Sequence, residues 1–242
     1  MMNFVDISNW QEGLDVNAIP VDAVICKATE GTYFVDRTCE PFVQAAKRRG
    51  IKWGFYHFAA EDDPVAEADF FIDATLGYFG EGIPVLDWET TQSVDWVNRF
   101  VNRVHDRMGV WPWIYANPWR FNQGGVESNC ARWAASYPNH LLYPDFNANE
   151  GEPPSVDGNL VAWQFASDGR LPGYGGNLDM NRFYGTSEQW DAYARGDSNA
   201  PDNPAEPPVE PQPPTKDEHP PSLNPSDIAK AVADELAARL KE

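Results

Sequence analysis

Eight short runs rich in β-branched and aromatic residues recur along this chain, at residues 3–7, 23–29, 52–58, 83–88, 113–116, 132–136, 160–165 and 177–180. Eight strands spread this evenly point to a sheet closed into a barrel. Between several of them, residues 39–49, 64–76 and 94–107 carry apolar side chains at three- and four-residue spacing, the period of an amphipathic helix. The first half therefore reads as repeated βα units. After Tyr137 the pattern changes, with Pro138, Pro144, Pro153 and Pro154 in one connection and Gly169, Gly173, Gly175 and Gly176 in the next. Such links form loops rather than helices. The expected fold class is α/β, an irregular TIM-like β/α barrel with eight strands and fewer than eight helices.

Composition shifts sharply near Gly196, which bounds one catalytic-size domain at residues 1–196. Residues 197–225 hold proline at nearly every third position among Glu, Asp and Asn, a composition that buries no core and reads as a linker. Ser226 then offers an N-cap, and Ile228, Val232, Leu236 and Leu240 line one face of an amphipathic helix over 226–242. A helix so apolar seeks a cover: the barrel, a wall or membrane component, or copies of itself, with self-association the preferred expectation.

The formal charge is −19, of which the tail from Asp197 contributes ten acids against four bases. That sign excludes nucleic acid as an expected partner. It also opposes simple attraction to an anionic cell wall, so a wall substrate would have to be recognised by shape and hydrogen bonds. Cys26, Cys39 and Cys130 lack metal-ligand spacing and read as free core thiols, and His57, His105, His140 and His219 are scattered. No metal and no cofactor are expected. The chain has no apolar signal core and no stretch long enough to span a bilayer, so it is expected to be made in the cytoplasm without membrane insertion.

Acids that follow strands carry the chemical signal, because a barrel gathers the C-terminal ends of its strands on one face. Asp6 ends the first run, Asp87 and Glu89 the fourth, and Asp179 the eighth. Asp87 and Glu89 are two residues apart and so should face the axis together, while barrel closure sets the last strand beside the first. Isolated acids at such positions often only cap helices or meet solvent. Four in one pocket raise one another's pKa, a cost that accompanies metal binding or acid/base work. Mg²⁺ or Ca²⁺ is one reading. The aromatics Trp10, Tyr56, Trp88, Tyr115, Trp133 and Trp163 suit stacking on sugar faces better, and favour glycoside hydrolysis. Glu61, Asp62 and Asp63 read as a solvated loop ahead of the helix near Pro64.

Seven strings, Asp6-Ile7-Ser8-Asn9-Trp10-Gln11, Lys27-Ala28-Thr29-Glu30-Gly31, Gly54-Phe55-Tyr56-His57-Phe58, Leu86-Asp87-Trp88-Glu89, Trp113-Ile114-Tyr115-Ala116-Asn117, Trp163-Gln164-Phe165 and Leu178-Asp179-Met180-Asn181, together resemble the glycoside hydrolase family 25 lysozymes over residues 3 to about 195. The resemblance implies an N-acetylmuramidase that cuts the β-1,4 bond after N-acetylmuramic acid in peptidoglycan, released to the wall as a phage endolysin is. It implies Glu89 as proton donor, Asp87 as its partner, Asp6 and Asp179 as the remaining acids, and Tyr56, Tyr115, Trp133 and Gln164 as cleft residues. Tyr115 and Trp133 read equally well as core aromatics. Asp87 has two candidate roles, orienting a substrate acetamido group that attacks the anomeric carbon, which the resemblance favours, or activating a water for inversion. A chitinase-like barrel is the nearest alternative, but the strand before Asp87 reads Ile83-Pro84-Val85-Leu86 and lacks that family's further upstream aspartates. A silent glycan-binding barrel is the alternative outside enzymes.

Overall fold

The computed structural model describes residues 1–197; the expected linker, apart from Asp197, and the C-terminal helix lie outside the described residues. The chain order is β1 (Met2–Ile7), β2 (Ala23–Glu30), β3 (Phe34–Val35), α1 (Cys39–Arg49), β4 (Lys52–Phe58), α2 (Pro64–Thr75), β5 (Ile83–Asp87), α3 (Val94–Met108), β6 (Trp113–Ala116), α4 (Pro118–Phe121), β7 (Arg132–Ala135), β8 (Leu160–Gly169), β9 (Leu178–Phe183) and α5 (Ser187–Arg195). Eight strands close in the order β1-β9-β8-β7-β6-β5-β4-β2, with β1 pairing β2 to complete the ring. The two-residue β3 is an antiparallel extension of β2. Five helices accompany the barrel among the described residues, fewer than eight, as the proline- and glycine-rich links require.

One strand runs against expectation. The ring is parallel from β1 through β2, β4, β5, β6 and β7 to β8, but β9 is antiparallel to both β8 and β1. The link 170–177 is too short for a parallel crossover, which needs a dozen or more residues, so the chain turns straight back. Asp179 therefore begins its strand instead of ending it. The reversal still delivers it to the same face, because the first residues of β9 lie beside the last of β1, with Asp179 opposite Asp6 in register.

Alternation along the strands sorts the core into two layers. Phe4, Ile25, Ile83, Val85, Trp113, Trp133 and Phe183 fill the barrel, while Val5, Val24, Cys26, Phe55, Leu86, Ile114 and Trp163 point outward to the helix layer. The helices are delimited by side-chain chemistry: Asp63 caps the first N–H groups of α2 with Pro64 following, and Ser93 caps α3. Helix α5 closes the lower end of the barrel with Trp190, whose indole donates to the Trp53 carbonyl at 3.0 Å and packs edge-on against Phe4, Trp113 and Phe183. It stops at Gly196, where φ is 70° and a Cβ would stand 2.7 Å from the Gly109 carbonyl oxygen. A side chain there would meet both strain and a clash. The three cysteines are free and buried, and burial raises each thiol pKa, which leaves them inert.

Candidate active site

The upper face of the barrel opens in a cleft of about 230 Å³ lined by Asp6, Ser8, Trp10, Lys27, Tyr56, Phe58, Asp87, Glu89, Tyr115, Tyr137, Gln164 and Asp179. Four acids from three distant strands and the turn after one of them thus meet in one pocket. Their inward aim follows from strand parity: Asp6 continues the Phe4 face, Asp87 the Val85 face, and Glu89 repeats that spacing just past the end of β5.

A hydrogen-bonded chain fixes the floor. Asp6 Oδ2 accepts from Gln164 Nε2 and from Asn181 Nδ2, each at 2.8 Å. Gln164 Oε1 in turn accepts from the hydroxyls of Tyr115 at 2.7 Å and Tyr137 at 2.5 Å, and Asn181 Oδ1 accepts from Trp133 Nε1 at 2.9 Å. These bonds orient both amides so that each presents N–H to Asp6. The Asp6 carboxyl is still pushed up to about 6, because burial outweighs the two amide donors.

Asp87 has no such support. It is buried, one oxygen, Oδ1, accepts no hydrogen bond from the described residues, and burial with the charges of Glu89 and Asp6 holds its pKa well above the carboxylate range. Asp179 is raised to about 9 by burial and then by Asp6 and Glu89. Burial also raises Glu89, against the opposing pull of Arg120. The four carboxyls share protons as a unit, so at neutral pH the pocket can both donate a proton and present carboxylate.

The loop that carries Glu89 is tied from two sides. On one, Trp88 Nε1 donates to the Gln92 carbonyl at 2.8 Å and Arg120 donates to the carbonyls of Glu89 and Thr90. On the other, Thr90 donates to the Ala59 carbonyl at 3.3 Å and Gln92 to the Ala60 carbonyl. That second support is itself anchored by buried Glu67, which accepts from the Ala60 and Asp62 N–H groups at 3.0 Å each and bonds His57 at 2.8 Å, with Thr29 on the far side of the imidazole at 2.8 Å. Burial keeps the His57 pKa below its ordinary value.

Of the expected cleft residues, Tyr56, Tyr115 and Gln164 line the pocket. Trp133 lies beneath it, 2% exposed and packed between Phe4 and Tyr115, so the core reading of that residue describes its place. Trp88 and Trp163 do not surround the acids. Each sits one residue from an inward side chain, Asp87 or Gln164, and so faces the outer helix layer. Trp10 is the reverse case, 86% exposed on a single helical turn held by a Ser8–Gln11 capping box at the rim. Glu61, Asp62 and Asp63 stay outside the cleft, bonded to Thr91, Thr32 and the start of α2.

Sequence reasoning missed Tyr137, Lys27, Phe58 and Asn181 as site residues. Three of them carry a parity signal: Lys27 repeats the Ile25 face, Phe58 the Tyr56 face and Asn181 the Asp179 face. Tyr137 follows β7 in a loop, where no period applies. Lys27 pairs with Glu30 at 2.6 Å and lies over the Phe58 ring at 4.8 Å, which puts a cation beside the acids.

The raised Asp179 pKa has a consequence for stability. Its folded value of about 9 exceeds the ordinary aspartate value of 3.8, so between those limits the folded state holds a proton that the unfolded chain has released, and stability falls as pH rises. Asp179→Asn mimics the protonated form. It should raise the melting temperature at pH 7 and more so at pH 9, with the difference vanishing below about pH 4, where the unfolded carboxyl is protonated too. Calorimetry at these three values checks it; equal melting temperatures throughout would remove the buried-proton account.

Over residues 5–174 the chain matches the family model described as glycosyl hydrolases family 25. It is 29% identical over 192 residues to the autolytic lysozyme of Clostridium acetobutylicum, covering 75% of this chain and 56% of that protein, so the chain spans little more than half of that relative's length. It is similar to the solved muramidase from Acremonium alcalophilum, at 27% identity and a TM-score of 0.64, covering 81% of this chain and 100% of the other. The structure of the CTP1L endolysin gives a TM-score of 0.61 at 26% identity, over 81% of this chain and 70% of that one.

Proposed function

The chain belongs to glycosyl hydrolases family 25, and from that membership we propose that it is a lysozyme hydrolysing the β-1,4 bond between N-acetylmuramic acid and N-acetylglucosamine in bacterial peptidoglycan. The observation that carries the mechanism is the orphan oxygen of Asp87, a buried acceptor without a donor, beside Glu89 in a cleft walled by tyrosines. A buried acceptor of this kind is unfavourable until something donates to it. The acetamido N–H of an N-acetylated sugar is a donor of the right chemistry.

In the proposed reaction Glu89 gives its proton to the glycosidic oxygen as the C1–O bond breaks, and the alcohol leaves. The acetamido carbonyl oxygen bonds to C1 while the amide N–H donates to Asp87; that donor and the developing positive ring favour the ionised form of the Asp87 carboxyl, whose charge then faces the ring. Water then attacks C1 as the bond from C1 to the acetamido oxygen breaks and the acetamido group is restored; the water passes its proton to the Glu89 carboxylate, which restores the acid. Tyr56, Tyr115 and Gln164 shape the sugar site, and Asp6 and Asp179 set the charge of the pair. The likeness to an endolysin structure supports the further proposal that the enzyme acts on the wall during host lysis.

Digestion of purified peptidoglycan, followed by borohydride reduction and mass analysis, tests the bond. The new reducing ends should be N-acetylmuramic acid; N-acetylglucosamine ends would make the enzyme a glucosaminidase instead. Proton NMR in the first minutes should show the β anomer, because participation inverts C1 twice. An initial α product would mean single displacement by water and would recast Asp87 as a general base.

A further inference from the structure

The proton cycle just described asks Glu89 to lose its proton and regain it in every turnover, within a pocket whose other acids oppose the ionised form. Asp6 from β1, Asp87 from β5 and Asp179 from β9 share the cleft with it. The other groups around it are the hydroxyls of Tyr56 on β4, Tyr115 on β6 and Tyr137 after β7, together with Lys27 on β2, already committed to Glu30. On the loop below, Glu61 reaches Thr91. What remains to offset these charges is Arg120 on α4.

Arg120, half-buried, is held by two backbone carbonyls and two aromatic rings. One terminal nitrogen, Nη2, donates to the Glu89 carbonyl at 2.9 Å and also to the Thr90 carbonyl, using both its hydrogens. The guanidinium plane lies between two indoles, 5.0 Å from the buried Trp88 ring and 4.8 Å from the exposed Trp119 ring. It thus grips the backbone of the acid itself while its stem and plane are fixed by stacking. Among the described residues no acidic side chain forms an ion pair with it, so its charge is left to act on the cleft.

On the lysozyme reading above, we infer that Arg120 is a positioning residue for Glu89: it sets where the carboxyl stands and keeps the ionised form within reach between the two proton transfers. The two effects are separable, because a lysine supplies the charge without the planar donor pair. Arg120→Met keeps an apolar stem between the two indoles and removes both. Its kcat on soluble muropeptide oligomers should fall about tenfold to a hundredfold, the scale of a small misplacement of a catalytic group, with KM within about twofold. Its alkaline activity limb should move up by about one pH unit, since a nearby cation lowers a carboxyl pKa by that order. Arg120→Lys should return the limb to its wild-type place and recover kcat only in part.

A substrate-free readout separates this inference from the lysozyme reading. In full-length protein labelled with carboxyl ¹³C-glutamate, the Glu89 resonance, identified by its loss in Glu89→Gln, should titrate at higher pH in Arg120→Met than in wild type. If wild type fails to cut peptidoglycan, the lysozyme reading falls and the titration still decides on the charge. Unchanged kcat and limb would overturn the inference. So would a kcat loss with an unmoved titration and no recovery by lysine, which is what a purely structural arginine gives. Should Arg120→Met fail to fold, Arg120→Gln carries the same expectations.

Discussion

Glu89→Gln should leave the barrel folded and reduce hydrolysis of purified cell walls by at least about a hundredfold, the usual scale of lost general acid catalysis. The amide matches the carboxyl in size, so the grip of Arg120 on the Glu89 carbonyl and the ties of Thr90 and Gln92 to the β4–α2 loop are untouched. What disappears is the transferable proton. Each tenfold in rate corresponds to about 1.4 kcal/mol of barrier lowering, and among the neighbouring acids Asp6 is already committed to two amide donors. The variant should melt no lower than wild type, because a neutral side chain replaces one that burial penalises. Initial rates of turbidity loss, with circular dichroism as the folding control, check both halves. Activity near wild type would take the acid role away from Glu89.

Asp87→Asn should be comparably impaired, by about a hundredfold to a thousandfold in kcat, for a different reason. Asparagine can still accept a hydrogen bond, so binding of the acetamido group survives and KM should change little. Its charge is gone, however, and the positive ring forming beside it loses a preorganised counter-charge, an effect of that size where donors or charges are removed from a dry site. Asp87 is strained in the resting enzyme: buried, short of a partner and beside other acids. Its neutral replacement should therefore raise the melting temperature while lowering activity, the trade expected of a group kept for chemistry. Steady-state kinetics on soluble fragments and a thermal melt of the same sample test the pair of effects. A variant with normal kcat would end the paired-carboxylate mechanism.

Much of this was legible in the residues because strand parity and helical period leave marks that need no tertiary information. The bounds of α1 coincide with the periodic stretch 39–49, and all eight barrel strands overlap the β-rich runs. Direction leaves no such mark. A period of two reads the same forwards and backwards, so the reversal of β9 showed only in the shortness of its link. Helix α5 escaped notice since only Trp190 and Ala194 are buried on its nine residues, too few to display a period, although the Thr186–Gln189 capping box and Gly196 marked its ends. Aromatic content alone sets Trp88 and Trp163 near the acids, whereas strand parity turns them outward, where they lie. Trp133 obeys parity and faces inward, but depth along a strand is set by how the layers stack, and its neighbour Tyr115 stands above it.

The pairing of Asp6 with Asp179 across the β1–β9 seam also governs when the enzyme can exist. Those residues are separated by nearly the whole domain, and contacts at such separation carry the largest loop-closure cost and form late. The two flanks of the seam carry Asp6 and Asp179 side by side, so no portion of the domain shorter than residues 6–179 assembles the cluster. A chain emerging from the ribosome would carry Glu89 and Asp87 long before it carries a pocket around them. Catalytic competence would then arrive in one step with barrel closure, and fraying of that single seam would remove it again while most of the helices and strands remain in place.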